Sequence, residues 1–123
     1  PHTLPALWRA EKIQSKTAKA GFDWTSSLQA LDKLEEEVRE LRAALEAGQA
    51  ADAPHGIREE LGDALFILCK IAQMSGVDPE DALHRACDKY QGRFRRVADA
   101  AGRPLNTYTE AEKIALWEQA KEN

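Results

Sequence analysis

The sequence predicts an all-α fold, and three observations carry that prediction. No stretch alternates apolar and polar residues for long enough to demand a strand. The apolar residues Leu31, Leu34, Val38, Leu41 and Leu45 step by 3, 4, 3 and 4, the period of one helical face. Helix-starting and helix-stopping residues recur between the periodic segments. Together these give about five helices in an antiparallel bundle.

The first helix is expected from about Leu4 to Ala20, with Leu7, Trp8 and Ile13 as its apolar residues and Gly21 as its stop. After the connector Phe22-Asp23-Trp24, Ser26 or Ser27 can cap the second, which Gly48 closes. A connection containing Pro54 leads to a third helix, from about Ile57 to Ser75, with Gly76 beyond its end. Asp78-Pro79 reads as an N-cap with proline in the first helical position, and opens a fourth helix reaching about Ala101. Gly102 and Pro104 stop it. Thr109 and Glu112 form a capping box that starts the fifth, which carries Ile114 and Trp117.

The chain has 123 residues, 17 of them Lys or Arg and 21 Asp or Glu, for a net charge of −4. That balance argues against stable binding to nucleic acid, and the length suits a single domain over residues 1–123, with 1–3 and 121–123 as frayed ends. The longest unbroken apolar run, Ala64 to Cys69, is six residues, far short of the roughly 20 needed to span a membrane. Cys69 and Cys87 both fall on apolar helical faces, and no signal-peptide pattern opens the chain, so a reducing cytoplasm is expected. A start at Pro1 suggests a processed form or a piece of something longer.

From Ala64 to Met74 the third helix is apolar on nearly every side, the pattern of a helix buried all round. In so small a domain a second subunit covering one face is one way to achieve this. A homodimer or higher homo-oligomer, with Phe66, Ile67 and Cys69 facing the partner, is therefore expected beside the plainer reading of a central core helix.

The second helix carries Glu35, Glu36, Glu37 and Glu40, and the third opens with Glu59, Glu60 and Asp63. Acidic residues are common on solvated faces and in first turns. At about 100° per residue, however, Glu37 and Glu40 lie roughly 80° and 140° to one side of the second helix's apolar seam. Glu60 and Asp63 fall at about the same offsets, with the same hand, from the seam Ile57, Leu61, Ala64, Leu68 and Ile71. Across an antiparallel αα-hairpin, equal offsets of the same hand land on the same side, so the four carboxylates converge. Glu37 with Asp63 and Glu40 with Glu60 are also symmetric about residue 50, in the connection. Four converging carboxylates must protonate or bind a cation, and an all-oxygen set suits Mg²⁺, with Mn²⁺ as a substitute.

Arg85, Lys89 and Arg93 recur along one edge of the fourth helix, with Arg96 near the same stripe. They are either snorkelling surface cations or a set that meets phosphate oxygens. Lys16, with Arg9, Lys12 and Lys19, either extends that anion site or belongs to a solvated face, and Trp24 either stacks on a base or packs in the core. Asp81 with His84 gives half of the paired pattern a di-iron centre needs. The other candidate, Asp52 with His55, straddles Pro54, so no such centre is expected.

These residues resemble the MazG family of nucleoside triphosphate pyrophosphohydrolases. Its signature, Glu-Glu-x-x-Glu followed by Glu-x-x-Asp, is matched by Glu36-Glu37-Val38-Arg39-Glu40 and Glu60-Leu61-Gly62-Asp63, with Asp78-Pro79-Glu80 and Lys89-Tyr90-x-x-Arg93-Phe94 downstream. Leu4-Pro5-Ala6-Leu7, Lys12-Ile13-Gln14, Gly21-Phe22-Asp23-Trp24 and Leu116-Trp117-Glu118 are most similar to the C-terminal domain of tandem MazG proteins. The resemblance implies hydrolysis of NTPs or dNTPs between the α and β phosphorus atoms, with Mg²⁺, as nucleotide-pool housecleaning. It implies metal ligands at Glu37, Glu40, Glu60 and Asp63, with phosphate contacts from Lys89 and Arg93, to which Arg96 and Lys16 are added here. Glu37 is the candidate base that takes the proton of the attacking water, with Glu36 and Glu59 as alternates. Where many relatives carry an Asn suited to a sugar contact, this chain has Cys87, which lacks the same donor and acceptor pair. The alternative is a catalytically silent helical dimerisation or nucleotide-sensing module that retains the acidic pocket.

Overall fold

The computed structural model describes residues 5–121. Among them are five α-helices: α1 (Ala6–Lys19), α2 (Ser27–Glu46), α3 (Ile57–Met74), α4 (Pro79–Ala100) and α5 (Glu110–Gln119). A single 3-10 turn at Leu105–Thr107 adds to these, and no strand is present among the described residues. Residues 1–4, 122 and 123, which include most of the expected frayed ends, lie outside the described residues.

The caps lie where local chemistry places them. Ser26 is extended and its hydroxyl accepts from the Gln29 amide at 3.2 Å, which starts α2. Gly48 and Gly76 adopt the left-handed backbone (φ 61° and 70°) just beyond α2 and α3, where a side chain would be strained. Asp78 Oδ1 accepts from the Glu80 amide at 3.0 Å, with Pro79 in the first position of α4. At α5 the Thr109 hydroxyl accepts from the Glu112 amide while the Glu112 carboxylate accepts from the Thr109 amide, at 3.2 and 2.8 Å.

The chain divides into two compact units between Asp81 and Ala82, near the start of α4. In the first, α3 packs against both α2 and α1. Gln14 of α1 is buried and its Nε2 donates to the Phe66 carbonyl of α3 at 2.7 Å. Trp8 Nε1 donates to Asp78 Oδ1 at 3.3 Å, tying the start of α1 to the residues that follow α3.

The apolar seams are turned by less than one residue from the expected ones, since Leu34, Leu41, Ile57, Ala64 and Ile71 stay partly or fully buried. On α2 the buried positions are Ala30, Glu37 and Ala44, spaced by seven, whereas Leu31, Val38 and Leu45 are exposed. On α3 the buried set is Glu60, Ala64, Ile67, Cys69 and Lys70, whereas Leu61 and Leu68 are half exposed. Small residues in the contact line bring the helices close and leave the larger side chains on the flanks. The expectation that α3 is buried all round is corrected in the same way. Within the first unit α1 and α2 pack on it, and Leu65 and Phe66 remain about half exposed. Ile67 and Cys69 are buried within this chain, so of the three residues expected at a subunit interface only Phe66 is open.

In the second unit Arg93 reaches from α4 to α5. Its Nε and Nη2 donate to the Trp117 carbonyl at 3.0 and 2.8 Å, and its guanidinium lies 4.0 Å from the centre of the Trp117 ring. Arg96 Nε donates to the Ala120 carbonyl at 2.8 Å. Both guanidiniums therefore satisfy carbonyls at the C-terminal end of α5, the end that favours positive charge.

Candidate metal centre

Glu37 and Glu60 occupy the contact lines of α2 and α3, so their carboxylates sit between the helices rather than on a solvated face. Glu37 is 6% exposed and Glu60 2%. One carboxylate oxygen each from Glu37, Glu60 and Asp63 lies within 4.8 Å of the other two. Glu40 stands close enough to share a proton with Glu60. All four line one cavity of about 740 Å³, together with Glu59 and His55. The convergence expected from the sequence is thus present in the geometry.

Electrostatics follow from this crowding. Burial, then the neighbouring Glu37 and Glu40 carboxylates, push Glu60 up to about 7. Asp63 is also raised, by burial and by the negative charges of Glu37 and Glu59. Lys33 Nζ lies 3.3 Å from Glu37 Oε1 and 3.5 Å from Glu36 Oε1, and its hydrogen bond to Glu37 is the chief cause of its raised pKa. The second oxygens of Glu37 and Glu60 are buried with no hydrogen-bond partner among the described residues. Leaving such acceptors unmatched is costly unless a cation meets them. An oxygen-only donor set with two orphaned oxygens fits a hard divalent ion.

A second cavity of about 590 Å³ adjoins the first and shares Glu37 and Asp63 with it. Trp24, Phe22 and Phe66 form aromatic walls, and Gln14, Asp23 and Lys70 contribute polar groups. The Lys70 ammonium is only 6% exposed and pairs with Asp23, whose carboxyl is held below its ordinary value chiefly by that hydrogen bond. Lys70 also donates to Gln73 Oε1 at 2.7 Å. This pair fastens the connector Phe22-Asp23-Trp24 to α3 and fixes the backbone beside Trp24. The amide of Gln14 is oriented by its bond to the Phe66 carbonyl, which can only accept, so its Oε1 is a buried acceptor with no partner among the described residues.

The remaining candidates are distributed as follows. Glu59 lines the acidic cavity, whereas Glu36 is on its flank, paired with Lys33. Lys16 is exposed in the last turn of α1. In the second unit Lys89, Arg93 and Arg96 line a pocket of about 320 Å³ with Tyr90, Trp117 and Lys121, so the basic stripe does converge. Arg93 and Arg96 already hold α5 carbonyls there. Cys87 is exposed on α4. Lys33 and Lys70 are not among the residues the sequence singles out; Gln14 and Asp23 enter there only within the family motifs, and His55 only in the Asp52 pair set aside as a di-iron candidate. The available signal was a lone Lys70 inside the otherwise apolar run of α3, and Gln14 beside Ile13 on α1.

The site is thus an all-α helical hairpin with two buried carboxylates between its arms and two more at their edge, a donor set that could hold a cation, beside an aromatic-walled cavity. The chain belongs to the MazG nucleotide pyrophosphohydrolase domain family, whose profile matches residues 25–98. It is 38% identical over 124 residues to the nucleoside triphosphate pyrophosphohydrolase of Escherichia coli, covering 98% of this chain and 46% of that protein. It is 34% identical over 121 residues to a Thermotoga maritima protein named nucleoside triphosphate pyrophosphohydrolase/pyrophosphatase MazG, covering 96% of this chain and 45% of the relative. An uncharacterized Bacillus subtilis protein is 36% identical over 77 residues, 58% of this chain and 16% of its own length. The chain thus spans about half the length of the first two relatives. No helix among the described residues is long and apolar enough to cross a membrane.

Proposed function

We propose that the chain hydrolyses NTPs or dNTPs at the α–β phosphoanhydride, giving a nucleoside monophosphate and pyrophosphate, as nucleotide-pool housecleaning in the cytoplasm. The observation that carries this reading is the convergence of Glu37, Glu60 and Asp63, with Glu40, around two buried oxygens that lack partners. The names of the Escherichia coli and Thermotoga maritima relatives support the choice of substrate.

Glu37, Glu40, Glu60 and Asp63 would hold Mg²⁺, or Mn²⁺ in its place. Bound there, a divalent ion neutralises phosphate charge and lowers the pKa of a water molecule. Glu37, with one oxygen held by Lys33 and the other without a partner, accepts the proton of the attacking water. Glu59 and Glu36 are the alternates for that role. The base lies in the adjoining cavity against Trp24, where Gln14 Oε1 and the Lys70–Asp23 pair supply polar contacts. Lys89, with Arg93, Arg96 and Lys16, neutralises phosphate oxygens, and Arg93 and Arg96 exchange α5 carbonyls for phosphate when they do so. Cys87 is the residue assigned to the sugar by the family resemblance, and it offers no amide donor and acceptor pair there. A second copy of the chain covers the open apolar stripe Leu61, Leu65 and Leu68 of α3.

Incubation with a panel of NTPs and dNTPs plus Mg²⁺, followed by product identification, tests the proposal. Monophosphate with pyrophosphate is expected. Diphosphate with phosphate would overturn the assigned bond, and binding without turnover would establish a nucleotide-sensing module instead.

A further inference from the structure

The acidic cavity holds a nitrogen donor that the proposed reaction does not use. His55 adopts the left-handed backbone (φ 56°), and its amide donates to Glu59 Oε2 at 2.6 Å. Its Nδ1 lies 3.2 Å from Glu59 Oε2 and 3.7 Å from Glu60 Oε1. The next residue fixes this turn in place. A Cβ on Gly56 would meet the carbonyl oxygens of Ala53 and Ala50 at 2.7 and 2.9 Å, so the backbone that carries His55 is closely packed at its base. One donor atom from each of His55, Glu59 and Glu60 falls within 4.8 Å of the others.

We propose that His55, Glu59 and Glu60 form a second cation site, which takes a transition ion such as Zn²⁺ or Co²⁺ in preference to Mg²⁺ and shares the Glu60 carboxylate with the acidic cluster. An imidazole with two carboxylates is a donor set that suits zinc and its neighbours, whereas Mg²⁺ favours oxygen alone. Three protein ligands leave the remaining positions to water, and the 85% exposure of His55 gives an ion a path in. Glu60 anchors the site, since its side chain is 3% exposed, its Oε1 faces His55, and its Oε2 is buried in the same cavity with no hydrogen-bond partner among the described residues. Glu60 thereby bridges the two sites, and an ion on His55 draws on the same carboxylate that the acidic cluster uses. The site stands on its own residues and does not depend on the hydrolytic reading.

The test is a calorimetric titration of the metal-free chain with Zn²⁺ and, separately, Mg²⁺, without nucleotide. Long-range ¹H–¹⁵N spectra of the imidazoles accompany it. His55→Gln should weaken Zn²⁺ binding by about tenfold or more, the loss that follows even from removing a group that only supports a ligand. It should leave Mg²⁺ binding within about twofold, because the oxygen set is intact. His84→Gln should bind Zn²⁺ as the unaltered chain does. Glu37→Gln should weaken Mg²⁺ while the His55 nitrogen resonances still shift with Zn²⁺. Unchanged Zn²⁺ affinity in His55→Gln, or His55 resonances that Zn²⁺ does not move, would overturn the proposal. Failure of the acidic cluster as a Mg²⁺ site would show instead as Mg²⁺ binding indifferent to Glu37→Gln.

Discussion

Cation binding at the acidic cluster should depend steeply on pH between 6 and 8, because Glu60 must shed a proton to become a ligand. With Glu60 raised from its ordinary value of 4.5 to about 7, its ionised fraction falls from about nine tenths at pH 8 to about one tenth at pH 6. The apparent Mg²⁺ affinity should therefore weaken about tenfold over those two pH units, with about 0.9 proton released per ion at pH 6 and about 0.1 at pH 8. Calorimetric Mg²⁺ titrations at pH 6, 7 and 8, each in two buffers of different protonation enthalpy, measure both quantities. The same proton sets the sign of the stability change. Between 4.5 and about 7 the folded chain retains a proton that the unfolded chain has lost, so the metal-free protein should become less stable as pH rises through that window. Mg²⁺ should flatten the slope by taking the proton's place. An Mg²⁺ affinity that is flat from pH 6 to 8, with no proton released, would refute the reasoning.

Glu60→Gln should leave the metal-free chain as stable as before or more stable, since it relieves repulsion, and should abolish turnover. Thermal unfolding with Mg²⁺ at 100 times its Kd should show a gain of about 2.7 kcal/mol in the unaltered chain and a much smaller one in the variant; equal gains would reduce these carboxylates to a solvated face. Asp23→Asn should loosen the Phe22-Asp23-Trp24 connector, raising KM for NTP severalfold with a smaller change in kcat and altering Trp24 fluorescence, and an unchanged KM would remove the connector from substrate binding. Light scattering at micromolar concentration should report a dimer or larger that Leu65→Asp dissociates into folded monomers, whereas a monomeric unaltered chain would refute self-association through α3.

Most helix ends were legible because each is fixed by chemistry within four or five residues. Ser26 before α2, Asp78-Pro79 before α4 and the Thr109 and Glu112 box of α5 need no tertiary information. The start of α1 at Ala6 rather than Leu4 reflects Pro5, which is extended (φ −51°, ψ 140°) and serves as the cap. The 3-10 turn at Leu105–Thr107 had no comparable signal. The burial of Gln14 and Lys70 was not legible for a different reason. A polar side chain is read from sequence as pointing outward, and only the packing of α1 on α3 and the Asp23 carboxylate reveal why these two point inward.

The rotated seams and the recognised carboxylates have one cause. Periodicity weighs large apolar residues most heavily, so the line through Leu31, Val38 and Leu45 stood out on α2, and Leu61 and Leu68 on α3. The contact line instead runs through Ala30, Glu37 and Ala44 and through Glu60, Ala64 and Ile67. A core chosen for stability alone would place a leucine where Glu37 stands, since a buried carboxylate with one oxygen unmatched is costly to fold around. The four carboxylates nevertheless converge, because turning both seams in the same sense carries Glu37 and Glu60 inward together and leaves Glu40 and Asp63 at the exposed edge. That joint shift turns two edge carboxylates into buried ones. It also accounts for the raised pKa of Glu60 and the two orphaned oxygens, which a cluster at the solvated edge of the same hairpin would not show.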